Sequence, residues 1–266
     1  DGRGGDIAVG IAQGVGKAVR TEVVGNRRVN KAAIRVDRNT AVSGLGGNCP
    51  DVATVAGWRV VGVQVAVEYG VFGGVEAVVG GGGRVVDGGD VEMYSGDAAK
   101  SCAALEVVIE RIAWAGAIPL VLGGDHTITW PDATGVARAH GWGRIGLIHF
   151  DAHADTGLIT FGSLIGHGHP MRQLIESGAV RGDRFLQIGL RGYWPEPETL
   201  DWMAGQQMRS YEMTEITARG FDECLTEALA IALDDCDGIF LSVDVDVVDP
   251  GHAPGTGTPE PGGLTS

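Results

Sequence analysis

The chain has 266 residues, 44% of them hydrophobic, 6% aromatic and 20% charged, a balance that argues against a disordered or membrane-spanning polypeptide and allows one large α/β domain with a substantial core. Twenty Lys and Arg stand against 34 Asp and Glu, a net charge of −14, which argues against nucleic acid or an anionic membrane as partner and suits a small cation. Cys49, Cys102, Cys224 and Cys236 form no Cys-x-x-Cys pair; with no signal peptide or apolar run of membrane length, a reduced cytoplasmic protein is expected.

Along the chain, segment 1–84 is rich in Gly and Val and reads unlike the rest. Residues 1–86 carry a net +3 and residues 87–266 a net −17, and all seven histidines lie between 126 and 252, so the chemistry belongs to the second part. Val-rich runs such as Val60–Val67 are interrupted by glycine, and the run Gly80–Gly83 is costly to order; no element is assigned in 1–84. The stretch Gly10–Lys17 approaches a phosphate-binding loop but has one spacer residue too many, and Ala18 stands where a hydroxyl is needed, leaving a Gly-rich loop.

From Val85 short apolar runs alternate with amphipathic stretches. Strands are predicted near 85–92, 118–123, 145–151, 185–190, 208–212 and 239–245. Helices are predicted at 98–115 behind an Asp97 cap, 132–140, 169–177, 195–204 and 221–235. This alternation predicts a three-layer αβα fold with a largely parallel sheet. In such sheets ligands bind beyond the carboxyl ends of the strands.

Three predicted strand ends turn abruptly from apolar to acidic or imidazole: 121–126 (VLGGDH), 148–155 (IHFDAHAD) and 240–250 (FLSVDVDVVDP). In extended backbone Asp151, His153 and Asp155 share one face, as do Asp244 and Asp246. Ionised carboxylates at close to 4 Å repel by about 4 kcal/mol per pair at an effective dielectric of 20, and divalent cations are the ordinary remedy. His126, Asp151, His153, Asp155, Asp244 and Asp246 together offer four carboxylates and two imidazoles, a charge that matches two divalent ions. Such oxygen-rich ligation suits Mn²⁺, and a clustered pair can activate a water for attack on an electrophilic carbon or phosphorus. A binuclear phosphoesterase also uses Asp-x-His and Gly-His-x-His, but the order of blocks here argues against it.

The arrangement resembles the ureohydrolase family, the Mn²⁺-dependent arginase and agmatinase group. Three blocks in family order carry the resemblance: 123–131 (GGDHTITWP), 150–156 (FDAHADT) and 242–263 (SVDVDVVDPGHAPGTGTPEPGG). It spans about 85–266, which is read as the metal-binding α/β domain, and does not extend into 1–84. It implies one ion held by His126, Asp151, Asp155 and Asp244 and a second by Asp151, His153, Asp244 and Asp246, with Asp151 and Asp244 bridging. The block 167–171 (HGHPM) is similar to the family's His-Gly-Thr-Pro-Phe, making His167 the proton shuttle to the leaving amine, with Asp155 orienting the nucleophile.

The second block is closer to the agmatinase branch than to the arginase branch, so the activity implied is hydrolysis of agmatine to putrescine and urea. Guanidinobutyrate or guanidinopropionate hydrolysis and a catalytically silent family member are the alternatives. A trimer or hexamer is also implied. Two departures touch the site, His169 for Thr and Met171 for Phe, and bear on selectivity. The start does not match the family's opening, and the chain stops at Ser266 before an implied helix, strand and guanidinium-contacting Glu, so weak or absent activity is expected of this chain. Among the other histidines, His149 reads as a hydrogen-bonded core residue, His140 as a helix-end contact, and His169 and His252 as loop residues near the site.

Overall fold

The computed structural model describes strands within 19–79, namely 19–24, 27–32, 54–55, 58–66 and 74–79, and then residues 84–265 apart from 160, 161, 163, 164 and 194. The Gly10–Lys17 segment and the glycine run 80–83 lie outside the described residues. Two compact units are present. The smaller contains an antiparallel ribbon of β1 (Val19–Val24) and β2 (Arg27–Ala32); β3 (Thr54–Val55) is a two-residue strand.

The larger unit contains β4 (Trp58–Ala66), β5 (Gly74–Val79), β6 (Arg84–Asp90), α1 (Ala98–Trp114), β7 (Ile118–Leu122), α2 (Thr129–His140) and β8 (Ile145–Phe150). It continues through α3 (Pro170–Glu176), β9 (Val180–Leu190), α4 (Pro197–Gly205), β10 (Arg209–Glu212), α5 (Met213–Arg219), α6 (Phe221–Leu233) and β11 (Gly238–Asp244). The sheet order is β10-β9-β8-β11-β4-β7-β5-β6. Pairing is parallel from β10 to β7 and antiparallel through β5 and β6. This is the expected three-layer α/β fold.

Period-two alternation in buried strands divides the core between the two faces of the sheet. On β8, Ile145 and Leu147 join Leu105, Ile109, Val136, Ala137 and Leu174 of α1, α2 and α3. Ile148 and Phe150 join Ile216, Cys224, Ala228 and Ala232 of α5 and α6. Helix α1 starts where Asp97 accepts a hydrogen bond from the Lys100 amide at 2.9 Å, and buries Ser101, Leu105, Ile109 and Ala113 at four-residue spacing, the stripe an amphipathic helix turns to a core.

Several predicted bounds move. No element is predicted before Val85, yet β4 lies between β11 and β7 at the centre of the sheet. Its Gly62 reads as a breaker in sequence. In the fold the ring of Phe240 lies 2.6 Å from where a Cβ would stand, so glycine serves close packing there. Helix α2 begins at Thr129 rather than 132, because Pro131 falls in its first turn, where a missing N–H is harmless. Helix α5 lies between the predicted strand 208–212 and helix 221–235, where no helix is expected; unlike the equally short α3, it has no proline in its first turn to mark its start. No helix among the described residues is long and apolar enough to cross a membrane.

Candidate metal centre

The three chemical blocks meet at the carboxyl ends of β7, β8 and β11. After β7, Gly123 and Gly124 take positive φ values of 106° and 72° and turn the chain into a short 3-10 turn, His126–Ile128, capped by the Asp125 carboxylate on the Thr127 amide at 2.9 Å. His126 is buried there. Its Nε2 lies 2.8 Å from Ser242 Oγ on β11, and Ser242 Oγ donates in turn to Gln64 Oε1 on β4 at 2.8 Å. With the serine proton committed to the amide oxygen, Nε2 of His126 carries the donated hydrogen, and Nδ1 is the ring nitrogen that faces the site.

That Nδ1 is buried without a hydrogen-bond partner of good geometry. Three carboxylate oxygens nevertheless crowd it: Asp151 Oδ2 at 2.9 Å, Asp155 Oδ2 at 3.0 Å and Asp244 Oδ2 at 3.3 Å. Lone pairs facing lone pairs in a buried cavity are repulsive unless a cation or protons lie between them. On the neighbouring side His153 Nδ1 lies 2.9 Å from Asp246 Oδ2 and 3.5 Å from Asp151 Oδ1. Asp151 is therefore common to two ligand groups, His126–Asp151–Asp155 with His149 nearby, and Asp151–His153–Asp246.

Proton affinities follow the crowding. Burial, then the Asp151 charge, pushes Asp244 well above the usual carboxylate range, and the same two causes raise Asp246 to about 6. For His153, burial opposes protonation most strongly, yet its hydrogen bonds to the Asp151 and Asp246 carboxylates hold it up at about 11. Protons thus stand in for a compensating positive charge. An oxygen-rich donor set with two imidazoles, mutually repulsive unless neutralised, fits a pair of divalent cations.

The route by which the carboxylates converge differs from the extended alternation expected. Strand β8 ends at Phe150, and the Asp151 carboxylate accepts from the His153 amide at 2.6 Å, closing a turn. Asp155 then takes φ +50°, a left-handed conformation that Asp tolerates better than most residues. Asp244 likewise caps the 3-10 turn Val245–Val247 by accepting from the Asp246 amide at 2.9 Å. Aspartates at these positions make the turns as well as supply the clustered carboxylates. Gly189 at the end of β9 has φ 111°, and a Cβ there would lie 2.9 Å from the Asp151 carbonyl oxygen, so this approach to the site requires glycine.

His167 is half-buried in the turn before α3. That turn is tied to the site loop by Gly157 N–H donating to the Gly168 carbonyl at 2.8 Å and Met171 N–H to the Asp155 carbonyl at 3.2 Å. His169 is buried and donates from Nδ1 to the Gly157 carbonyl at 3.1 Å, so it anchors this loop. His252 is exposed in the turn after Asp249. Residues beyond those expected also contribute. Thr258 donates to Asp246 Oδ2 at 3.1 Å, and Arg191 Nη2 donates to the carbonyls of Asp246 and Glu260 at 2.7 and 2.6 Å. Glu260 Oε1 lies 3.8 Å from His153 Nε2. Gln64, Gln187 and Ser242 are buried polar residues inside apolar strands, and that anomaly was the sequence signal for them.

The arginase family matches residues 72–266 of this chain. The guanidinobutyrase of Pseudomonas aeruginosa is 38% identical over 185 residues, covering 69% of this chain and 56% of that protein. The mitochondrial agmatinase of Gallus gallus is 38% identical over 189 residues, covering 68% of this chain and 52% of that protein. Among solved structures, proclavaminate amidino hydrolase from Streptomyces clavuligerus is similar with a TM-score of 0.62 and 28% identity, covering 78% of this chain and 75% of that one. The chain spans about half the length of the curated relatives it matches.

Proposed function

The chain belongs to the arginase family, and from that premise we propose that it takes part in metal-dependent hydrolysis of a linear guanidino compound to urea and an amine. What carries the proposal is the buried Nδ1 of His126 facing three carboxylates, beside a second group that shares Asp151. Two Mn²⁺ ions suit this donor set. His126, Asp151, Asp155 and Asp244 would hold one, and Asp151, His153, Asp244 and Asp246 the other. When bound, such a pair lowers the pKa of water and so supplies a nucleophile at neutral pH.

The chain's own residues have separable tasks. The surplus of carboxylates, in a protein of net charge −14, draws a guanidinium cation toward the cavity. Asp155, held in its left-handed conformation beside His126, orients the attacking group toward the guanidinium carbon. His167 gives a proton to the departing amine nitrogen, so that the carbon–nitrogen bond breaks to a neutral amine. Hydrogen bonds from Gly157 N–H to the Gly168 carbonyl and from Met171 N–H to the Asp155 carbonyl tie the loop that carries Asp155 to the turn that carries His167.

The acidic field favours agmatine, whose far end is a second cation, giving putrescine and urea. A second reading, an acid-ended substrate such as 4-guanidinobutyrate, is favoured by the equal identity to a guanidinobutyrase. Urea release from agmatine, 4-guanidinobutyrate and 3-guanidinopropionate with added Mn²⁺ separates them. Whatever urea the chain releases should be greatest from agmatine and should require Mn²⁺; greater release from a carboxylate-ended compound would reverse the order, and release that does not need the metal would contradict the proposed activity.

A further inference from the structure

Beneath the metal centre a row of polar side chains crosses five strands in register. Ser210 of β10 pairs with Gln187 of β9, Gln187 with His149 of β8, His149 with Ser242 of β11, and Ser242 with Gln64 of β4. Gln187, His149, Ser242 and Gln64 are completely buried, and buried polar groups at this density are costly unless each has a partner. We propose that His149 is a positioning residue that holds the shared carboxylate of Asp151 through a fixed tautomer, and is not itself a metal ligand.

The direction of each bond follows from one fixed acceptor. The Ala154 carbonyl can only accept, so the Gln187 atom 2.8 Å from it is the amide nitrogen. The Gln187 amide oxygen then faces Ser210 Oγ, which donates to it at 2.9 Å. The second hydrogen of the amide nitrogen points at Nδ1 of His149, 3.2 Å away. Nδ1 therefore accepts, Nε2 carries the ring hydrogen, and Nε2 donates to Asp151 Oδ2 at 2.8 Å. A ring nitrogen bearing that hydrogen has no lone pair for a metal, although His149 lies within the same ligand group as His126, Asp151 and Asp155.

Oδ2 is the Asp151 oxygen that also faces His126 Nδ1 at 2.9 Å, while Oδ1 faces His153. His149 thus fixes the carboxylate plane from which both ions would be served. The edge of the Phe185 ring, at a centroid distance of 5.9 Å, packs the imidazole in place. Hydrogen-bond partners behind metal ligands typically change affinity by about 10- to 100-fold when removed. The inference rests on the metal-centre reading above.

The test is Mn²⁺ titration of the full chain, with free Mn²⁺ counted by its electron paramagnetic resonance signal, for the unmodified protein and for His149→Leu and His149→Gln. Leucine suits the apolar surroundings but donates nothing; glutamine keeps an N–H near the Nε2 position. We expect His149→Leu to lose about 10- to 100-fold in Mn²⁺ affinity and His149→Gln to stay close to the unmodified protein. Equal affinity in all three, or equal loss in both variants, would overturn the role. Long-range ¹H–¹⁵N correlation on the unmodified metal-free protein needs no folded variant: hydrogen on Nε2 with Nδ1 bare supports the proposal, and hydrogen on Nδ1 overturns it. Unmodified protein that binds no Mn²⁺ would instead overturn the metal centre on which the proposal stands.

Discussion

His167 and His169 differ by two positions and do different work. His169 is buried and spends its Nδ1 hydrogen on the Gly157 carbonyl, so its loss loosens the turn that carries His167. His167 has no part in the ligand groups around Asp151. In protein with measurable turnover, His167→Ala should keep its Mn²⁺ and lose roughly 10²- to 10⁴-fold in kcat, the range for a single acid or base group. His169→Ala should lower thermal stability and reduce turnover less. Parallel loss of metal and activity in both variants would contradict the division. The sequence showed these histidines beside a proline-started helix but not which one faces inward, because burial of His169 depends on Gly157, twelve residues upstream.

At the scale of elements, the layer formed by β10, α5 and α6 is tied by charge as well as by packing. Arg209 of β10 bonds Glu215 of α5 at 2.5 and 3.0 Å, and Arg219 of α5 reaches Glu215 at 2.6 Å, Glu223 at 2.9 Å and Glu227 of α6 at 2.5 Å. The hydrogen bond from Arg209 holds the Glu215 carboxyl below its ordinary value of 4.5, with burial opposing and Arg219 adding to the effect. A depressed folded-state pKa gives stability that is present above the unfolded value and is lost as pH falls through the folded one. The Tm of Glu215→Gln should therefore lie below that of the unmodified protein at neutral pH, and the gap should close on acidification below pH ~4.5. Because the pair is partly exposed, the gap should be small and shrink further with salt. A gap that widens toward acid would refute this account of the layer.

Elements with strong periodicity were legible in sequence, and those defined by contact were not. The Asp97 cap and the four-residue stripe of α1 are local features and lie where predicted. β4 was hidden because Gly62 makes sense only against Phe240, a residue 178 positions later that shares its strand pairing. The first half of β9 was hidden too. Its Arg181 and Asp183 fall between the predicted helix 169–177 and strand 185–190; in the fold they bond each other at 2.7 Å, and Arg184 pairs with Asp234 at 2.5 Å, which satisfies charged groups along a strand. At the site, the ligand residues were conspicuous as acids ending apolar runs. Their convergence departs from extended backbone because Asp151 and Asp244 cap their own turns, and such a cap leaves no separate mark in composition.

Over the whole molecule, three strand ends that are remote in sequence are brought together by a parallel sheet, and the charge they assemble is what the fold must neutralise. Carboxylate oxygens of Asp151, Asp155 and Asp244 crowd within 3.3 Å of the buried Nδ1 of His126, and Asp151 extends the cluster to His153 and Asp246. Divalent ions that bind only the folded state should raise Tm, by an amount that grows with the logarithm of their concentration over Kd. The most direct measurement is the Mn²⁺ content of the chain after loading and desalting, for the unmodified protein and for Asp151→Asn. Two ions per chain, and loss of both on altering the carboxylate common to the two groups, is the predicted result. Trace metal in the unmodified protein, or loss of only one ion from Asp151→Asn, would contradict a binuclear centre built around that residue.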